Sequence, residues 1–444
     1  MKKSIKKVLT LLLCAVISMS AFTLFGCGGE DTGGVDTGKL SIQIYCNGSS
    51  EIQLAWASVI DAFEDATEDA GKPIKVQAII SPSANTQQSE NWKSDTPPDL
   101  VFVDGNGLSD ANLVKNGKFL DITEWYDTAT VYGENTLIKD VINTSVIENF
   151  GDGKIYEIPV MNCSSGLYYD GGYVREKGYT LPKNYEELNA VCKKANSDNA
   201  NIYGLTYPGK YPSYCLDALI LPAMASELSE NEFNDLLKGN EASVAVIRSA
   251  KFKEILQRWR DFCGIKGNLM AGSITQDHTN TQTAFLNNRS LFMCNGMWLE
   301  GEVKKSIPAE FEMRFINSPF IAADAKETVL IGAKNMAVAS HGKHQDWAKE
   351  FISFLFRKDT QAKLVKGYGF LSALNNFDYT DSALGLSETG KNVISTIISC
   401  ENKVYRKYNW GTLGDMFNNV VNSLAGQEQT VDEAADYLVD YLTK

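Results

Sequence analysis

Residues Leu40–Ile80 read LSIQIYCNGSSEIQLAWASVIDAFEDATEDAGKPIKVQAII. Leu40–Cys46 alternates apolar and polar residues as a strand does, and Ile52, Trp56, Val59, Ile60 and Phe63 then recur at helical spacing until Gly71-Lys72-Pro73 breaks the pattern. Ile74–Ile80 is a second strand. A strand, a helix and a strand in this order form a βαβ unit, whose crossover requires a parallel sheet. Pro97-Pro98 then precedes Asp99–Val103, a short strand of the buried type that ends in Asp104-Gly105-Asn106-Gly107. Ligands of open α/β sheets gather at the carboxyl ends of strands, so Asn47, Asp104 and Asn106 are expected at one cleft.

Outward from this unit the pattern stays α/β. Pro182 opens a helix with Leu188, Val191, Cys192 and Ala195 on one face. Trp259 lies in a helical stretch near 248–263, and Trp347, Phe351 and Leu355 mark a helix near 345–357. Thr430 and Glu433 have the spacing of a capping box ahead of Ala434, Ala435, Leu438 and Leu442. About 400 residues after the leader are too many for one core and imply two domains.

The leader itself is legible. Lys2, Lys3, Lys6 and Lys7 precede an apolar run from Val8 to Phe25, the order of a secretory signal peptide, here 1–26. No later stretch reaches the roughly 20 apolar residues a bilayer requires. The net charge is −13, and taking away the four lysines of residues 1–26, which hold no acid, leaves −17. So acidic a surface repels phosphate backbones, which argues against nucleic acid and for a neutral or cationic ligand. Apart from Cys14 and Cys27 the cysteines are Cys46, Cys163, Cys192, Cys215, Cys263, Cys294 and Cys400, each alone and without a C-x-x-C pair. Isolated cysteines in apolar surroundings read as small core residues, with one or two disulfides left open.

Several segments resemble the carbohydrate-binding proteins of ABC importers, the broad maltose-binding-protein-like family. They are SDTPPDLVFVDGN with NGKFLDITEW between Trp92 and Trp125, Gly153–Val160 (GKIYEIPV) followed by Leu167-Tyr168-Tyr169-Asp170, Ala284–Arg289 through Asn295-Gly296-Met297-Trp298, and Trp410–Gly426 with Thr430–Ala434. Asp170 stands where the family has asparagine, and Asn288 where it has glycine. Leu24-Phe25-Gly26-Cys27 is similar to a lipobox, with Phe25 in place of a small residue, and 27–39 follows as a flexible Gly/Asp/Thr-rich tether. The resemblance implies a two-lobed α/β fold with a ligand cleft, one lobe of 40–153 plus 300–367, the other of 166–291 plus 376–444, and hinge segments near 154–165, 292–300 and 367–375. It further implies a monomeric solute-binding lipoprotein, held outside the cell membrane by lipidated Cys27, that hands a carbohydrate to an ABC permease. No enzymatic activity, cofactor or metal is expected. Gly296–Glu302 with Ile307-Pro308 and Phe311, together with Tyr207–Tyr214, is similar to a branch that binds N-acetylglucosamine or its oligosaccharides.

A sugar ring offers an apolar C–H face and a rim of hydroxyls, so its site needs aromatic platforms with amides or carboxylates beside them. Trp298 and Trp410 are the candidate platforms, with core packing as the alternative for each. Tyr207, Tyr211 and Tyr214 crowd a Pro/Gly-rich loop and either meet ligand or pack on prolines. Of Tyr168 and Tyr169, neighbours on a strand, one should face the cleft. Asn295 joins Asn47, Asp104 and Asn106 as the polar candidates, the alternative for Asn47 and Asp104 being a turn residue. Trp56, Trp259 and Trp347 lie on apolar helical faces and read as core. Two rivals remain. One is a secreted glycoside hydrolase or esterase: two-carboxylate catalysis needs only a placed Asp/Glu pair, whereas the G-x-S-x-G elbow of a serine hydrolase is absent. The other is a related fold that captures a solute other than sugar.

Overall fold

The computed structural model describes residues 38–443 apart from 47–48, 83, 85–95, 104–109 and 407–410, and only the backbone of 110, 411 and 412. Residues 39–444 form one compact unit. Eleven strands are described, and they make two sheets. The first holds β1 (Lys39–Tyr45), β2 (Lys75–Ser81), β3 (Leu100–Val103), β4 (Glu157–Cys163), β9 (Thr328–Val338) and β10 (Leu371–Ser372) in the order β10-β4-β9-β3-β1-β2, with β11 (Asn402–Tyr405) beside β9. The second holds β5 (Ser165–Asp170), β6 (Tyr203–Thr206), β7 (Ser290–Gly296) and β8 (Met313–Ile316) in the order β6-β7-β5-β8.

The expected βαβ unit is there. β1 pairs in parallel with β2 and with β3, and helix Ser50–Asp69 crosses between β1 and β2. That helix buries Ile52, Trp56, Val59 and Phe63, one stripe of an amphipathic cylinder. Trp56 donates its indole N–H to the Tyr368 hydroxyl at 2.7 Å, tying the helix to Lys358–Tyr368. The two helices touch closely because Gly367 has no side chain; a Cβ there would stand 2.4 Å from that of Ala55.

A second core lies on the far side of the second sheet. Helix Ala250–Gly264 buries Trp259, whose indole donates to the Val421 carbonyl at 2.9 Å in helix Gly411–Ala425. Helix Val431–Leu442 closes this core, and its expected capping box is present: Thr430 accepts from the Glu433 N–H while Glu433 accepts from the Thr430 N–H. Trp56 and Trp259 are thus buried as read, whereas Trp347 is only partly covered and stacks on His344 at 4.3 Å.

The two cores share a boundary. Tyr168, Met293 and Phe315, on one face of the second sheet, pack into the first core, while Leu167, Tyr169 and Phe292 on the opposite face pack into the second. In β9 the same alternation puts Val329 and Ile331 in the first core and Leu330 in the second. The chain leaves the first sheet at Ser164, whose hydroxyl donates to the Leu330 carbonyl at 2.9 Å, and returns between Ile316 and Thr328. Two strands therefore sit apart from the expected lobe boundaries. Met313–Ile316, within 300–367, pairs with β5 of the second sheet, and Asn402–Tyr405, within 376–444, pairs with β9 of the first. Short strands carry little local pattern, and their sheet is chosen by long-range pairing. Among the described residues no helix is long and apolar enough to cross a membrane.

Candidate functional site

At the edge shared by the two sheets a cluster of rings and charges assembles around Trp298. β7 ends at Gly296, and Trp298 begins the short helix Leu299–Val303, so the indole stands where strand turns to helix. Its path needs a glycine: a Cβ at position 296 would lie 2.2 Å from the indole Cη2. Tyr214 meets the half-buried indole edge-on with centroids 5.9 Å apart, Phe370 does the same at 6.1 Å, and the Lys334 ammonium lies 5.7 Å from the ring centroid. Such ring pairs and cation–ring contacts are the favoured quadrupole geometries.

Tyr214 and Asp217 come from one widened helix. Ser213–Cys215 continues into a five-residue π-helical turn, Leu216–Ile220, and then Leu221–Glu227. Pro222 accounts for the widening, since it has no N–H to give the Ala218 carbonyl and its ring needs that carbonyl displaced. Asp217 faces Arg406, just past β11, with 3.5 Å between Oδ1 and Nη1, and about a third of its side chain stays exposed. Desolvation raises the Asp217 carboxyl above its ordinary value, and the Arg406 and Lys334 charges oppose that rise. Burial, reinforced by Glu302, pushes the Tyr214 phenol well above the usual tyrosine range, so it is a neutral hydroxyl at any physiological pH. Glu302 is itself held by the Gln282 amide at 2.6 Å.

The carboxyl ends of the first sheet arrive at the same place. Val103 at the end of β3 is opposite Asn335, next to Lys334, and Tyr405 at the end of β11 is opposite Ile331. Two aromatic faces, a half-buried carboxylate and two cations thus surround one edge, a set suited to holding a ring with hydroxyls.

The sequence candidates divide four ways. Tyr214 and Trp298 come together. Asn47, Asp104, Asn106 and Trp410 lie outside the described residues, as does Cys27. Tyr168, Tyr207 and Asn295 are 0% exposed and offer a ligand no surface, which corrects the expectation for these three. The Tyr168 hydroxyl donates to the Gly296 carbonyl at 3.1 Å and so braces the strand behind Trp298. The Asn295 side chain accepts from the Gly296 N–H at 2.8 Å. The Tyr207 hydroxyl donates to Asn422 Oδ1 at 2.8 Å, and the Asn422 amide donates to the Gly209 carbonyl at 2.7 Å, clamping the tyrosine loop to the C-terminal helices. Tyr211 is exposed, 5.7 Å from the His278 ring and apart from the cluster.

Asp217, Lys334, Phe370 and Arg406 were not among the candidates. Asp217 was available from its place three residues after Tyr214 on one helical face. Lys334 was available as the one charge in the apolar run TVLIGAKNMAV. Phe370 and Arg406 carry no local signal.

The family model for bacterial extracellular solute-binding proteins matches residues 58–383. The chain belongs to that family. Among curated relatives of this solute-binding protein, the multiple sugar-binding protein of Streptococcus mutans is 20% identical over 356 residues, covering 80% of this chain and 79% of the relative. Among solved structures, RafE in complex with raffinose superposes with a TM-score of 0.66 at 15% identity, covering 91% of this chain and 99% of its own. The cyclic alpha-maltosyl-1,6-maltose binding protein of Arthrobacter globiformis gives 0.67 at 18% identity, with 91% and 97% covered. These likenesses place the solute-binding protein in a two-lobed α/β fold.

Proposed function

We propose that the protein captures a carbohydrate outside the cytoplasmic membrane and delivers it to an ABC-type permease, without chemical turnover. The observation that carries this reading is the packing of Trp298 and Tyr214 against each other at the edge where both sheets meet, with Asp217, Lys334 and Arg406 around them. The rings offer faces for sugar C–H groups, the carboxylate accepts from hydroxyls and the cations donate to ring and hydroxyl oxygens. Membership of a solute-binding family and the sugars named for the neighbours agree with it. The passages at Ser164 and between Ile316 and Thr328 would serve as hinges, the lobes closing on the ligand as in other hinged binding proteins. Chain export through residues 1–26 and lipidation of Cys27 complete the reading, with the mature protein a monomer on the outer face of the membrane.

A thermal-shift screen against mono- and oligosaccharides, N-acetylglucosamine oligomers among them, tests capture. A ligand at 100 times its Kd stabilises the protein by about 2.7 kcal/mol. Recovery of the stabilising sugar unaltered supports transport, and cleavage products would instead mark a glycoside hydrolase. Stabilisation only by amines, peptides or metals would remove the carbohydrate assignment. Replacing Cys27 with serine should release the protein from membranes, and continued tight association would refute the lipid anchor.

A further inference from the structure

One helix of the second core reaches groups that are fixed in the first half of the molecule. Leu216, Ala218, Leu219 and Ile220 root the π-helical turn in the second core, and the Ser318 hydroxyl donates to the Leu219 carbonyl at 3.3 Å. Tyr214 and Asp217 are three residues apart on this helix and so are neighbours on its surface. Their partners belong to the other side. Trp298 and Phe370 pack with the first core, Lys334 lies in β9 opposite Met161 of β4, and the Arg406 N–H donates to the Ile331 carbonyl at 2.9 Å. The Tyr214 ring stands edge-on to Trp298 at 5.9 Å, and Asp217 Oδ1 lies 3.5 Å from Arg406 Nη1. These are the groups that carbohydrate capture would use. A sugar ring taken between the two platforms has to part them, and a hydroxyl that donates to Asp217 competes with the guanidinium for the same oxygens.

We propose that Tyr214 and Asp217 form a latch between the two halves, so that ligand and latch compete for one set of side chains. The proposal rests on the reading that the halves move relative to one another. An edge-on ring pair and a partly exposed ion pair are each worth about two- to tenfold in an equilibrium, so the latch leaves open and closed forms both populated. The unbound protein then spends part of its time shut on itself, and its apparent affinity for sugar falls with the fraction that is open and able to receive one. A ligand closes the protein only where its own contacts outdo those it displaces, which selects for a flat apolar face with a hydroxyl beside it. The ion pair also makes the latch sensitive to salt, since a pair with about a third of its surface exposed is screened in part.

The test is small-angle scattering of the purified protein without sugar at about 0.01 M and about 1 M NaCl, between which the screening length falls from about 30 Å to about 3 Å. The unmutated protein should have the larger radius of gyration at high salt. Asp217→Asn and Arg406→Gln should each show, already at low salt, a radius that corresponds to an open-to-closed ratio raised about two- to fivefold. The double variant should open no further than either single one, because both changes remove the same contact, and far-UV circular dichroism should be unchanged across the set. A radius indifferent to salt and equal in the variants overturns the latch, as does additive opening by the two single changes. If a variant does not fold, the salt series on the unmutated protein decides. No sugar enters these measurements, so their failure is distinct from failure of the carbohydrate reading. A sugar that contracts the unmutated protein and the variants from the same starting radius removes the latch and leaves the hinge.

Discussion

At the scale of single residues, burial separates side chains that look alike in sequence. Trp298 and Tyr214 keep part of their surface while Tyr207 keeps none. Trp298→Ala should weaken carbohydrate binding by about 1–3 kcal/mol in isothermal titration with far-UV circular dichroism unchanged; a collapse of the circular dichroism would return Trp298 to the core. Tyr207→Phe should act the other way round. It strands Asn422 Oδ1 and should lower unfolding stability by about 1–3 kcal/mol in urea titrations while sugar affinity holds, and unaltered stability would deny the clamp. The sequence could name Tyr207, Tyr211 and Tyr214 as a group but could not sort them, since a Pro/Gly-rich loop has no period from which inward and outward sides can be read. Likewise the Tyr168 and Tyr169 alternation was legible, yet both faces of that strand turned out to be covered, one by each core.

At the scale of elements, what is local in the sequence came through. The βαβ start, the helix around Trp259 and the Thr430 capping box rest on period and cap chemistry within a few residues. The π-helical turn and the sheet choice of β8 and β11 depend on partners far along the chain, which periodicity does not encode. The helix Ser50–Asp69 supplies a test in pH. The Lys304 ammonium, 3.0 Å away, holds the Glu51 carboxyl down to about 2 from an ordinary 4.5. A folded-state value below the unfolded one adds stability above pH 4.5 and loses it as pH falls from there through about 2. Because the pair is exposed the effect is small. In urea titrations Glu51→Gln should be less stable than the unmutated protein at neutral pH, with the gap narrowing near about pH 3; a gap that widens on acidification would contradict the ion pair.

At the scale of the whole molecule, ligand should draw the lobes together, and small-angle scattering should record a smaller radius of gyration with a stabilising sugar than without. An unchanged radius would leave capture without closure. β9 constrains how that motion and unfolding proceed. Because Leu330 is rooted in one core while its neighbours Val329 and Ile331 are rooted in the other, neither half can melt without tearing a strand out of its partner. Scanning calorimetry should therefore trace a single endotherm whose van't Hoff and calorimetric enthalpies agree, so that damage to either half, wherever it is inflicted, is felt by both at the same temperature.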